Sequence, residues 1–179
     1  MQFAAVLFTL GLALTSTFAE PIPKPKRQVS EYKNIVTGIA TQVNVVDGLV
    51  TSYIGGTVPG TDVQEGNDVL VALINDGATT ITGLEPLNTL EVLDLVGDLQ
   101  DLIGTITTVV DNIIAAEPNF VADGLNDEVL TGLVALQGGA ENLRAAVIPK
   151  IPEALQGTAD ELAAEIVADL QRAVDAYSD

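Results

Sequence analysis

One apolar stripe constrains this chain more than any other feature of its sequence. Eight apolar side chains recur at intervals of 3, 4, 3, 4, 3, 4 and 3 residues: Val29, Tyr32, Val36, Ile39, Val43, Val46, Val50 and Tyr53. This spacing places them on one face of an α-helix and does not fit the two-residue alternation of a strand. The Gly55-Gly56 and Pro59-Gly60 pairs predict where this helix ends.

The second segment, from about Asp62 to Leu84, permits two interpretations. Its run Val69–Ile74, followed by Asn75-Asp76-Gly77, is compatible with a strand that enters a turn. The same segment also places apolar residues on one helical face. We favour the helix, because a single hairpin among helices would have no sheet to join.

The third segment has the clearest pattern of the five. Apolar residues from Val92 to Ile114 share one face, and acidic residues share the other. Asn88 with Glu91 three positions later resembles a capping box, and Pro118 predicts the end of a helix about 40 Å long.

Two more stripes complete the predicted fold. The fourth runs from Val129 to Val147 and ends before Pro149, and the fifth runs from Leu155 to Tyr177. Short connections between long amphipathic helices are typical of antiparallel packing. The sequence therefore predicts an all-α fold, an antiparallel bundle of about five amphipathic helices, as a single domain over residues 28–179.

The N-terminal residues are typical of a secreted precursor. An apolar run from Phe3 to Leu14 precedes Thr17-Phe18-Ala19, which predicts a signal peptide over residues 1–19 that is cut after Ala19. Residues 20–27 form a predicted pro-segment that ends in the dibasic pair Lys26-Arg27. Its three prolines predict an extended, accessible cleavage site. The mature chain would then begin at residue 28 and be secreted, with no transmembrane segment.

Composition excludes several kinds of chemistry. The 179 residues include no His and no Cys, so the usual zinc sites, thiol nucleophiles and Ser-His-Asp triads are absent. Residues 28–179 contain 24 acidic and 4 basic side chains, a net charge of −20, which argues against nucleic acid as a partner. No residue pattern indicates a catalytic site, a metal site or a cofactor. The sequence thus predicts a protein that is not an enzyme.

The remaining candidate site is an apolar cavity between the helices. A core of medium-sized aliphatic side chains with few aromatic rings can leave a hollow that takes an apolar ligand. The predicted lining residues are Val43, Leu70, Leu95, Leu99, Leu102, Ile106, Leu133, Leu136, Leu162 and Ile166. The head group of a fatty acid would seek one of the four cations, Lys33, Arg144, Lys150 and Arg172, or donors such as Ser52, Gln100 and Thr108.

Several of these features together resemble one protein family. They are the secretion signal, the Lys26-Arg27 pair, the striped first helix, the break Ala116-Glu117-Pro118-Asn119-Phe120 and the ending from Ala164 to Ser178. In this pattern of helices and boundaries the chain resembles the fungal hydrophobic surface-binding protein A family, also called cell wall galactomannoproteins. The resemblance transfers no individual functional residue.

The resemblance implies a secreted, non-enzymatic domain that is associated with apolar surfaces and with the cell wall. It also implies fatty acid binding in a cavity between helices, and recruitment of secreted polyester- or lipid-degrading hydrolases to apolar surfaces. We therefore expect a protein whose partners are apolar surfaces or fatty-acid-like lipids. The alternative is a structural or antigenic wall mannoprotein with a fully packed core and no small ligand.

Overall fold

The computed structural model describes residues 24–178, with side chains from residue 28 onward. The predicted signal peptide and Ala19 lie outside the described residues. Within them the chain forms five long α-helices, with one 3₁₀ turn over Ile148–Lys150. The α-helices are α1 (Lys24–Ile54), α2 (Gly60–Thr82), α3 (Thr89–Ala122), α4 (Asn126–Val147) and α5 (Glu153–Ser178). The predicted all-α fold with five helices is confirmed.

The dibasic pair lies in a different backbone conformation from the one predicted. Residues Lys24–Arg27 form the first turn of α1 and are not extended. Pro25 is compatible with this turn, because the first N–H groups of a helix have no partner within it. The side chains of Lys26 and Arg27 lie outside the described residues, and cleavage after Arg27 stays a prediction.

The end of α1 follows from its glycines. Gly56 has a φ of 68°, a left-handed conformation that glycine adopts without a steric penalty. The Gly56 N–H donates to the carbonyl of Tyr53, and the Thr57 N–H donates to the carbonyl of Ser52. These two bonds form a Schellman motif, which satisfies the last carbonyl groups of the helix. The predicted end of the first helix is confirmed.

The second segment is the helix α2, so the strand interpretation is wrong. Its buried face consists of Val63, Gly66, Leu70, Ile74, Gly77 and Ile81 with Gly60 and Ala78. The three glycines let α2 approach its neighbours closely: a Cβ added at Gly66 would lie 2.7 Å from Cδ1 of Leu49. The helical period of the buried positions, and not the short apolar run, determines this segment.

The third helix begins as predicted and ends later than predicted. The capping box between Asn88 and Glu91 is present. However, α3 continues through Pro118 to Ala122. The helix continues because Phe120, which is 0% exposed, packs in the core and anchors the last turn. A second Schellman motif around Gly124, whose φ is 71°, ends the helix instead.

The five helices form a closed ring. Each helix runs antiparallel to the one before it in the chain, and around the ring the order is α1, α2, α4, α5, α3 and back to α1. One end of the ring holds Tyr53, Phe120 and Tyr177, and we call it the aromatic end. The opposite end holds the α2–α3 and α4–α5 connections, and we call it the aliphatic end. A ring of five helices encloses an axis that its side chains have to fill.

Candidate functional site

Three aromatic side chains fill the aromatic end of the helix ring, with Tyr53 stacked on Phe120 and Tyr177 tilted against Phe120. The ring centroids of Tyr53 and Phe120 are 4.2 Å apart, and those of Phe120 and Tyr177 are 6.2 Å apart. Both tyrosine hydroxyls have partners: Tyr53 donates to Oδ2 of Asp123 at 2.8 Å, and Tyr177 donates to the carbonyl of Ile113 at 2.7 Å. Large rings with satisfied hydroxyl groups leave little free volume at this end.

A cavity of about 350 Å³ occupies the middle of the ring and extends towards the aliphatic end. All five helices and the 3₁₀ turn contribute lining side chains, and almost all of these are Val, Ile, Leu or Ala. A water-sized group needs about 10–15 Å³ of cavity volume. The cavity therefore has room for roughly two dozen such groups, which is enough for a long acyl chain.

Nine of the ten residues predicted to line a cavity do line this one. They are Val43, Leu70, Leu95, Leu99, Leu102, Ile106, Leu136, Leu162 and Ile166. The exception is Leu133, which is 2% exposed and packs in the main core without lining the cavity. Leu133 lies in the half of α4 nearer the aromatic end, where the interior is filled.

Part of the cavity lining comes from the connections between helices, and the apolar stripes did not predict it. Leu87 precedes α3, and Ile148 and Ile151 belong to the turn between α4 and α5. These residues belong to no periodic stripe, so their sequence carries no signal for burial. Their place is fixed by a backbone bond from the N–H of Leu87 to the carbonyl of Lys150, at 2.7 Å.

Part of the cavity lining on α3 and α5 is in contact with solvent. There Val96, Leu99, Ile103 and Leu162 line the cavity but are only half-buried. The described hydrogen bonds that join the two helices lie in their other halves, nearer the aromatic end: Thr107 to Asp169, Arg172 to Asp111, and Tyr177 to Ile113. The first halves of α3 and α5 are therefore joined by no described hydrogen bond.

Three polar side chains line the cavity, namely Tyr32, Arg144 and Thr158. The Tyr32 hydroxyl donates to the carbonyl of Glu85 at 3.2 Å, and burial together with the charge of Glu91 raises the pKa of Tyr32. Arg144 on α4 forms a two-bond ion pair with Asp160 on α5: Nε donates to Oδ1 at 2.7 Å and Nη2 donates to Oδ2 at 2.8 Å. Hydrogen bonding from Arg144 lowers the pKa of Asp160.

The other three cations among the described side chains do not line the cavity. Lys33 pairs with Asp94 at 2.9 Å, and Arg172 pairs with Asp111 and Asp169. Lys150 donates to the carbonyls of Thr82 and Leu84 and so closes the end of α2. Three further head-group donors suggested by the sequence also lie outside the cavity lining: Ser52, Gln100 and Thr108.

Residues 24–178 contain no cluster of three or more acidic side chains placed to hold a metal ion. None of the described helices combines the length and hydropathy needed to span a membrane. The apolar cavity is thus the main candidate site in this part of the chain.

Comparison with solved structures gives the same fold. Ligand binding domain 2 of the Penicillium marneffei MP1 protein, complexed with multiple arachidonic acids, matches with a TM-score of 0.80 at 25% identity, over 84% of this chain and 96% of that chain. Afmp4p, in complex with palmitic acid, has a TM-score of 0.78 at 19% identity, over 83% of this chain and 99% of that chain. At 19% identity this second likeness shows the fold alone.

Sequence comparison gives the family. Cell wall mannoprotein 1 of Aspergillus fumigatus is 32% identical over all 179 residues, and the corresponding protein of Aspergillus flavus is also 32% identical. The chain spans 61% and 63% of the length of these two relatives. The sequence profile described as hydrophobic surface binding protein A matches residues 29–149, which is more than half of the chain. The chain therefore belongs to the hydrophobic surface binding protein A family.

Proposed function

We propose that this chain is a non-enzymatic carrier that binds a fatty acid or a similar long-chain lipid in its central cavity. The observation that carries this proposal is the 350 Å³ cavity with its almost wholly aliphatic lining. Support also comes from the MP1 domain with the same fold, whose structure contains arachidonic acids. The predicted residues from Val43 to Ile166 that line the cavity would contact the acyl chain.

The energetics favour such binding. Burying an acyl chain of about 15 methylenes gains roughly 12 kcal/mol, at about 0.8 kcal/mol for each methylene. Association costs roughly 4–15 kcal/mol, so micromolar affinity is attainable. A fully packed core, which the alternative of a ligand-free wall spacer predicted, is hard to reconcile with this cavity. We therefore favour lipid binding over the spacer function.

The test uses one substitution inside the cavity and one outside it on the same helix. Ala163 lines the cavity, whereas Ala168 is exposed and does not. We expect Ala163→Trp to occupy part of the cavity and weaken fatty acid binding, and Ala168→Trp to bind like the unchanged protein. The measurement is native mass spectrometry of delipidated protein mixed with sodium hexadecanoate.

The introduced side chain also reports whether the variant is folded as designed. The chain contains no other Trp, so blue-shifted emission from Ala163→Trp would show that the new indole is buried. A folded Ala163→Trp variant that still takes up one hexadecanoate as tightly as Ala168→Trp would contradict the proposal.

The second part of the proposal is adsorption to apolar surfaces outside the cell. Leu90 and Leu93 at the start of α3 are 77% and 58% exposed, and Leu93 also lines the cavity. Apolar adsorption survives high salt, whereas electrostatic adsorption is screened. We expect adsorption to polystyrene to persist in molar NaCl and to fall in a Leu90→Ser, Leu93→Ser variant. Loss of adsorption on adding salt would contradict this part.

Recruitment of a secreted hydrolase and a location in the cell wall or medium complete the proposal. The names of the family and of its wall mannoprotein relatives support an extracellular role. Protein-coated polystyrene should retain a secreted polyester-degrading enzyme that bare polystyrene does not retain. The mass of the secreted protein tests cleavage after Ala19 and after Arg27.

A further inference from the structure

We propose that Arg144 receives the head group of the bound lipid, so that the preferred ligand is a long-chain carboxylate and not a neutral lipid. This inference rests on the proposed lipid-binding function and names the chemistry of its polar end. Among the four cations with described side chains, Arg144 is the one that lines the cavity, and because the cavity surface is almost wholly apolar its guanidinium lies at the rim. Lys33, Lys150 and Arg172 are held by partners outside it.

The guanidinium has donors left for a ligand. Its Nε and Nη2 atoms donate to the two carboxylate oxygens of Asp160, and Nη1 donates to no described side chain or carbonyl. Arginine has five N–H donors in a rigid plane, and its Nη1–Nη2 edge can hold a carboxylate through two parallel bonds. Arg144 can therefore keep Asp160 as a partner while it binds a second carboxylate.

The position of Arg144 suits an amphiphile with one polar end. The Arg144 side chain is 34% exposed, and Thr158, which also lines the cavity, is exposed on the facing helix α5. A head group placed there stays in contact with water, while the acyl chain extends past Leu102 towards Val110 and Ile113. This arrangement avoids the cost of burying an unpaired carboxylate among aliphatic side chains.

The surrounding charge makes a specific cation necessary. The net charge of residues 28–179 is −20, so the domain as a whole repels an anionic ligand. A long-chain alcohol would not feel this repulsion and would need no cation. The change in carboxylate affinity when Arg144 is replaced, relative to the change for the alcohol of equal length, therefore measures what Arg144 contributes.

The experiment compares sodium hexadecanoate with 1-hexadecanol by isothermal titration of the delipidated chain. Arg144→Gln is the test variant. Arg172→Gln is the matched control, because it makes the same change of charge away from the cavity. We expect Arg144→Gln to weaken hexadecanoate binding about tenfold or more and to change hexadecanol binding less than about twofold, since bonds to charged groups are the stronger ones. Arg172→Gln should leave both affinities nearly unchanged.

Asp160→Asn provides a second, independent variant that keeps the arginine. It removes the carboxylate that competes for the guanidinium, so we expect hexadecanoate to bind several-fold more tightly and hexadecanol to bind as before. If the unchanged protein binds neither probe, the proposed lipid-binding function fails. If it binds both and Arg144→Gln weakens both equally or neither, the head-group site is wrong while the carrier function stands. A hexadecanoate affinity that Asp160→Asn leaves unchanged or lowers would also overturn the head-group site.

Discussion

The two ends of the five-helix ring enclose the same axis with different side chains. At the aromatic end, Tyr53, Phe120 and Tyr177 pack against one another and fill the helix ring. Towards the aliphatic end, branched side chains such as Leu95, Leu99 and Leu102 line the ring without meeting across it, and a cavity remains. Side-chain size, and not hydrophobicity alone, therefore decides whether the interior of a helical ring is filled or hollow.

The two ends of the helix ring also contribute differently to stability and to the proposed function. The stacked rings and their bonded hydroxyl groups hold α1, α3 and α5 together at one end. The half-buried apolar residues that line the cavity contribute less to stability, because they bury less apolar area on folding. The aromatic end therefore stabilises the fold more, and the proposed ligand would occupy the hollow end.

The largest expected effect comes from truncating one residue at each end. Phe120→Ala should reduce the free energy of unfolding by about 3–5 kcal/mol, because it empties a packed site that is 0% exposed. Leu99→Ala should cost about 1 kcal/mol, because Leu99 is half-buried beside space that is already empty. Urea unfolding followed by circular dichroism measures both values. Equal losses of unfolding free energy at the two positions would contradict the view that the two ends differ in packing.

Adding one methyl group at each end should have opposite effects. Gly60 lies against Leu125, and its added Cβ would also be 3.4 Å from the rings of Phe120 and Tyr53. We expect Gly60→Ala to destabilise the protein by about 1–3 kcal/mol through overpacking. Gly97 on α3 has nothing within 4 Å of an added Cβ, so Gly97→Ala should stabilise the protein by about 0.5–1 kcal/mol through helix propensity.

Thermal unfolding of the Gly60→Ala and Gly97→Ala variants measures these two changes in stability. The two melting temperatures should move in opposite directions from that of the unchanged protein. A rise in the melting temperature of Gly60→Ala would show that the aromatic end has spare volume after all.

Alkaline pH should weaken the aromatic end before the aliphatic end. Burial, with help from the bond to Asp123, raises the pKa of Tyr53 to about 12, and burial raises the pKa of Tyr177 as well. In the unfolded chain a tyrosine loses its proton near pH 10. Between about pH 10 and 12 the unfolded state therefore binds fewer protons than the folded state, and stability falls as pH rises.

Each such tyrosine contributes a slope of up to about 1.4 kcal/mol per pH unit. Tyr53→Phe should flatten the loss of stability between pH 10 and 12, as followed by urea unfolding at each pH. Tyr32→Phe is the control at the aliphatic end, where burial and the charge of Glu91 also raise the pKa of Tyr32. If Tyr32→Phe changed this slope more than Tyr53→Phe does, the alkaline loss of stability would arise mainly at the aliphatic end, contrary to this prediction.

The helices of this protein, and the face of each that is buried, follow from the residue pattern along the chain. The interval of three or four residues in α1, the capping box of Asn88 and Glu91, and the glycines after Tyr53 are local signals, and local geometry obeys them. Where tertiary packing opposed such a local signal, the prediction from the local signal was wrong. Pro118 predicted an end to α3, but the burial of Phe120 two residues later extends the helix to Ala122.

What the helices enclose depends on how they pack together. A stripe shows that Leu133 and Leu136 are both buried, but not that Leu136 lines the cavity while Leu133 packs against solid core. Nor does the sequence distinguish Arg144 from the other cations, because its place beside the cavity depends on the order of helices around the ring. The physical reason is that periodicity fixes the direction of a side chain from its own helix, whereas a cavity depends on the distance to side chains from four others.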